Sequence, residues 1–145
     1  MAIFQDDTQL FYPVYSAYNA SSTSGASGWQ TIDWNTVEID TTEIAESSGT
    51  ITTQEAGYYY CHFNHLHANG SHTAYRSQIT SNGIGDFAYQ WTSGGDGSSI
   101  SGMVYLAAGW WVKAQVYHDN SNHGVSNSAR RNKFAIWRFN GGSDF

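Results

Sequence analysis

Apolar and polar residues along this chain alternate with a period of two, the spacing that sends successive side chains to opposite faces of a β-strand. In Trp110 to Tyr117, Val112, Ala114 and Val116 share one parity, and Trp111, Lys113, Gln115 and Tyr117 share the other. In Ser98 to Leu106, Ile100, Gly102, Val104 and Leu106 oppose Ser99, Ser101, Met103 and Tyr105. Gly109, between these two segments, stands where a tight hairpin turn belongs. Leu10, Tyr12 and Val14 alternate with Phe11 and Tyr15 in a first strand that Pro13 confines to an edge or a bend. Asn19 to Gly28 has no period and reads as a loop or flexible excursion, after which Trp29, Ile32, Trp34, Val37 and Ile39 return in short extended pieces. Gly49, Gly57, Gly70, Gly83 and Gly94 punctuate the middle of the chain. Asn69-Gly70 and Asn82-Gly83 are turn dipeptides that accept positive φ. Only Thr41 to Glu46 suits a helix, and it is too short to stand without tertiary support. The predicted class is all-β, an antiparallel sandwich of two sheets.

Two segments break the rule of one apolar face. Gly57 to Leu66 carries Tyr59, Cys61 and Phe63 on one parity but Tyr58, Tyr60, His62 and Leu66 on the other. Lys133 to Phe139 sets Phe134 and Ile136 against Ala135, Trp137 and Phe139. A two-layer sandwich has one interior, so a strand with bulky groups on both sides calls for a second cover. Another copy of the chain is the simplest cover, because monomers rarely leave large contiguous apolar patches open.

Composition sharpens this picture. The 145 residues suit one domain, and the single Cys61 allows no internal disulfide. Asp6 and Asp7 stand where a secretory leader has basic and then apolar residues, and no apolar run is long enough for a membrane helix. Synthesis and folding in a cytoplasm are the expectation. The formal net charge is −6 with only six Lys plus Arg, a poor basis for the counterion release that drives nucleic-acid affinity. Ten Tyr, seven Phe and six Trp exceed the needs of one small core, so some of these rings are expected at an interface.

The order Gly57-Tyr58-Tyr59-Tyr60 followed by Tyr75-Arg76-Ser77-Gln78-Ile79-Thr80-Ser81-Asn82-Gly83 resembles the tumour-necrosis-factor-like jelly roll of the complement globular heads. Ser101 to Val112 is similar to that family's strand, Gly turn and Val-rich strand, and Phe134-Ala135-Ile136-Trp137-Arg138-Phe139 is similar to its closing strand. The resemblance covers residues 29 to 140, leaving 1 to 28 as an N-terminal strand and loop and 141 to 145 as a tail. It implies a jelly-roll sandwich and a homotrimer whose inner sheets meet around a threefold axis. The chain shows no collagen-like stalk, leader or anchor, which points away from a cytokine or complement role. Short jelly rolls rich in Gly, Ser, Asn and Trp look like bacteriophage virion components.

On these grounds the expected trimer interface is Tyr58, Tyr60, His62, Tyr117, Trp137 and Phe139. The expected function is a non-catalytic capsid decoration or cement protein, made in the host cytoplasm and resident in the virion. Its partners would be its own copies and the major capsid protein, met through Phe4, Phe11, Tyr15, Arg130, Arg131 and Lys133. The alternative is a receptor- or glycan-binding fibre head, with Trp29, Trp91 or Trp110 stacking on sugar rings.

Candidate chemistry is sparse. His62, His65 and His67 form the densest set of imidazoles, yet no Cys or carboxylate stands beside them at ligand spacing, so neither a metal nor another cofactor is expected. Asp119 to Gly124 lacks the later oxygen ligands of a calcium loop, and Gly94 to Gly97 lacks the Lys-Ser/Thr pair of a phosphate cradle. No Gly-x-Ser-x-Gly elbow exists, no two carboxylates stand out as acid and nucleophile, and Cys61 has the parity of a buried thiol.

Overall fold

The computed structural model of the protein describes residues 11–19, 23–24, 28–66, 75–92, 97–118, 124–125 and 132–139. Its strands, in chain order, are β1 (Phe11–Tyr18), β2 (Thr23–Ser24), β3 (Gly28–Thr31), β4 (Thr36–Asp40), β5 (Ile44–Ser47), β6 (Thr50–Thr53) and β7 (Gly57–Leu66). They continue with β8 (Tyr75–Ser81), β9 (Gly85–Thr92), β10 (Gly97–Leu106), β11 (Trp111–His118), β12 (Gly124–Val125) and β13 (Lys133–Phe139). No helix occurs among the described residues. Residues 41–46, the one helix-compatible stretch, form a turn and then β5.

Two antiparallel sheets face one another. The first runs β10-β7-β13-β1-β4 and the second β5-β6-β11-β8-β9, with β3 also paired to β11. A small ladder of β12 and β2 stands apart, so part of the aperiodic 19–28 stretch is paired rather than loop. The chain crosses between the main sheets from β6 to β7, β7 to β8, β9 to β10 and β10 to β11. This repeated crossing is the jelly-roll arrangement expected from the sequence.

The inner faces supply the core. On β7, Tyr59, Cys61, Phe63 and His65 point inward, matching Val104, Gly102, Ile100 and Ser98 on β10 and, for the first three, Arg138, Ile136 and Phe134 on β13. The second sheet contributes Ile51, Ile79, Val112, Ala114 and Val116. Trp34 closes one end of the interior, stacked on Phe134 at 5.8 Å and edge-on to Phe63 at 5.9 Å. Burying a side chain of this size is worth about 1.5–3 kcal/mol, so these strands hold each other by their rings as much as by their ladders.

The structure decides three local expectations. Of the two places that Pro13 allows β1, an edge or a bend, the structure shows the bend: the strand lies inside the first sheet, between β13 and β4. Pro13 is tolerated because it sits at a bulge against β13 and before the β4 pairing begins at Tyr15. Gly109 makes a tight turn, with φ of 84° and a Trp110 N–H donated to the Ala107 carbonyl at 3.0 Å, but β10 and β11 lie in different sheets and form no hairpin. Thr53 ties that turn down, its backbone N–H donating to Trp110 O at 2.9 Å and its carbonyl accepting from Gly109 at 2.8 Å. At Asn82-Gly83 the turn forms, yet the positive φ of 83° falls on Gly85. Gly83 is needed for closeness instead, since a Cβ there would lie 2.1 Å from the Trp110 ring. Asn69-Gly70 lies outside the described residues.

Candidate functional site

The outer face of the first sheet gathers the second apolar parity of β7 and β13. Register places Tyr58 opposite Tyr105, Met103 opposite Tyr60, Tyr60 opposite Trp137 and Phe11 opposite Phe139. Four rings touch in a chain, Phe139 to Phe11 at 5.2 Å, Phe11 to Tyr60 at 6.3 Å and Tyr60 to Trp137 at 5.7 Å, and Tyr58 pairs with Tyr105 at 5.3 Å beside them. Phe11, Tyr60, Met103 and Trp137 line a groove of about 470 Å³. Tyr58 is 52% exposed and Met103 53%. One row further, Ser101, His62, Ala135 and Ser16 replace the rings, so the apolar area is confined to one half of the sheet.

Five of the six expected interface residues therefore lie on one face, with His62 at its polar border. Burial lowers the pKa of His62 below the usual imidazole range. Tyr117 does not join them. It lies on β11 in the second sheet, 5.5 Å from Trp29; alternation reveals the parity of a side chain but not the sheet that its strand enters. Met103 and Tyr105 were missed as members of the face, although their parity against Ile100 and Val104 was visible.

Among the expected capsid contacts, Tyr15 is corrected outright. It is fully buried, because the bulge at Val14 inserts one residue and resets the alternation, sending Phe11 outward and Tyr15 inward. Phe11 belongs to the aromatic face. Lys133 is half-exposed and pairs with Glu38 at 2.6 Å. Phe4, Arg130 and Arg131 lie outside the described residues.

A second ring cluster occupies the outer face of the second sheet. Trp91, Arg76, Tyr117 and Trp29 follow one another across β9, β8, β11 and β3, and Tyr89, Gln78, Gln115 and Thr31 form the adjacent row. The Arg76 guanidinium lies 5.1 Å from the ring centres of both Trp91 and Tyr117. Gln78 Nε2 donates to Gln115 Oε1 at 2.7 Å, and Gln115 Nε2 donates to Thr31 Oγ1 at 3.1 Å. Trp91 is 61% exposed. Trp110 stands elsewhere, its ring over Gly83. Arg76 and Tyr89 were missed by sequence reasoning, since only the pairing of β8 with β9 and β11 brings them to the tryptophans.

The polar clusters are structural in character. His65 is buried at the end of the core, with Ser98 Oγ 3.2 Å from its Nδ1 and Ser77 Oγ 3.5 Å from its Nε2. Burial, and then the nearby His118, depresses its pKa to about 3. His62 and His65 point to opposite sides of β7, so they share no ligand site, and His67 lies outside the described residues. No group of three or more His, Cys, Asp or Glu side chains that could hold a metal occurs among the described residues. Burial pushes the Cys61 thiol far up, away from nucleophilic use. Arg138 is paired with Glu43 at 3.1 Å and with Glu55, and it also donates to Tyr12 Oη and Ala56 O, locking the end of β13 to the β4–β5 and β6–β7 connections.

No family model and no curated protein matches this sequence. Solved structures do match. The chain is similar to murine APRIL at pH 8.0, with a TM-score of 0.71 and 14% identity over 88% of this chain and 98% of that one. Murine APRIL at pH 8.5 gives a TM-score of 0.70 over the same shares, again at 14% identity, and at pH 5.0 it gives 0.66 at 12% identity. At this level of identity the likeness is one of architecture: the chain has the jelly-roll fold of the tumour-necrosis-factor-like proteins.

Proposed function

We propose that this protein is a homotrimer that works by binding rather than by catalysis, with the outer face of the first sheet as its seam. The observation that carries this reading is the contiguous set of Phe11, Tyr58, Tyr60, Met103, Tyr105, Trp137 and Phe139 around an apolar groove. Contiguous aromatic area of this kind is typical of interface cores, and exposing it to water is unfavourable by roughly 25 cal/mol for every Å². The resemblance to tumour-necrosis-factor-like jelly rolls implies three copies around an axis, with these sheets inward.

The finer setting proposed is a phage capsid, where the trimer decorates the shell and stabilises it by binding only the assembled state. A composition rich in Ser, Thr, Asn and Gly, with 12% charged residues, supports a virion component more than a cytoplasmic enzyme. Reconstituting stripped shells with the full chain tests this. Shells that melt at higher temperature and carry the chain in multiples of three support it. Absence of the chain from the capsid fraction of purified virions, or unchanged shell melting, contradicts the capsid setting.

A further inference from the structure

We propose that the outer face of the second sheet is a binding platform for an acidic sugar, with Arg76 receiving the carboxylate and Trp91, Tyr117 and Trp29 receiving pyranose faces. This does not rest on the trimer, since the two aromatic faces belong to different sheets. The platform has both halves of the required chemistry. Aromatic rings offer flat apolar area to the C–H face of a sugar, and planar amide and guanidinium groups offer hydrogen bonds to its hydroxyls and acid group. Here the rings of Trp91 and Tyr117 flank Arg76, Trp29 continues the row beyond Tyr117, and the Gln78–Gln115–Thr31 relay fixes the amides in the next.

Charge selects the acid. Lys133 and Arg138 are neutralised by Glu38, Glu43 and Glu55, whereas no carboxylate among the described residues pairs with Arg76. Lys113 extends the positive side of the same face, its Nζ 4.4 Å from the Trp111 ring centre. Among the described residues, Asp86, opposite Thr80, is the nearest acid by register, and it lies in the Lys113 row rather than in that of Arg76. Arg76 Nε is moreover shielded from solvent with no acceptor among the described residues.

The test titrates the full chain with 3′-sialyllactose and with trigalacturonate, using lactose and methyl-esterified trigalacturonate as neutral counterparts. Binding is read by saturation-transfer NMR and tryptophan fluorescence. At least one acidic sugar is expected to bind about tenfold tighter than its neutral counterpart, and Arg76→Gln and Trp91→Ala each to weaken it by about tenfold. Trp91 is exposed, so its removal leaves the core intact even if Arg76→Gln fails to fold. Lack of binding by both acids, equal binding of the neutral sugars, or binding that survives Trp91→Ala overturns the proposal. So does a fall in oligomer mass on Trp91→Ala, which would show that a second copy covers this face.

Discussion

Tyr60 and Trp137 stand directly opposite one another on β7 and β13, ring centres 5.7 Å apart, on the side of the sheet that faces away from the core. Neither ring is needed to fill the interior, which Tyr59, Cys61, Phe134 and Ile136 already close. Trp137→Asp is therefore expected to leave the β-sheet circular dichroism intact while lowering the oligomer mass to that of one chain. An oligomer mass that stays unchanged would show that this face is not the seam.

Tyr15 offers a test of the bulge. Its ring fills the core, but its hydroxyl is buried with no partner among the described residues, and burial pushes its pKa far up. Tyr15→Phe removes the unpartnered oxygen and is expected to raise stability by about 1 kcal/mol. Tyr15→Ala leaves a cavity and is expected to cost about 3–5 kcal/mol. Were Tyr15 a surface contact instead, both changes would fall within about 0.5 kcal/mol of neutral in denaturant melts.

His65 sets a pH dependence with a definite sign. Its pKa is about 3 when folded, against 6.5 for the free side chain. Between these values the unfolded chain takes up a proton that the folded chain refuses, so the stability present above pH 6.5 is lost as pH falls towards 3. The expected slope from this residue is about 1.4 kcal/mol for each pH unit. Melting temperatures measured from pH 7 to 4 should show it, and His65→Gln should flatten it.

Gly83 and Trp110 are expected to be coupled. Gly83→Ala drives a methyl group into the Trp110 ring and should cost about 1–3 kcal/mol. In a Trp110→Ala background the same change should cost far less. Additive effects in this double-mutant cycle would contradict the packing described.

Much of the architecture was legible because strand parity is a local property. The split of β7 into an inward Tyr59-Cys61-Phe63 set and an outward Tyr58-Tyr60-His62 set is visible in ten consecutive residues, and it locates the candidate seam. What escaped depends on longer-range relationships. The Val14 bulge reverses the parity of β1 by one inserted residue, which sends Phe11 and Tyr15, expected on one face, to opposite faces. Tyr117 was grouped with the seam because its period is right, although β11 pairs with β8 and β3 in the other sheet. The turn at Gly109 was visible, but whether the strands beside it share a ladder is decided by the crossing of the chain between sheets. Arg76 meets Trp91 and Tyr117 only through that same pairing.

In the proposed trimer, three copies shelter the aromatic face of the first sheet from water. Light scattering coupled to size exclusion, run on the full chain over a hundredfold dilution, measures this most directly. A single species at three times the 16.0 kDa of one chain is expected. A stable species of one chain's mass at every dilution would contradict it.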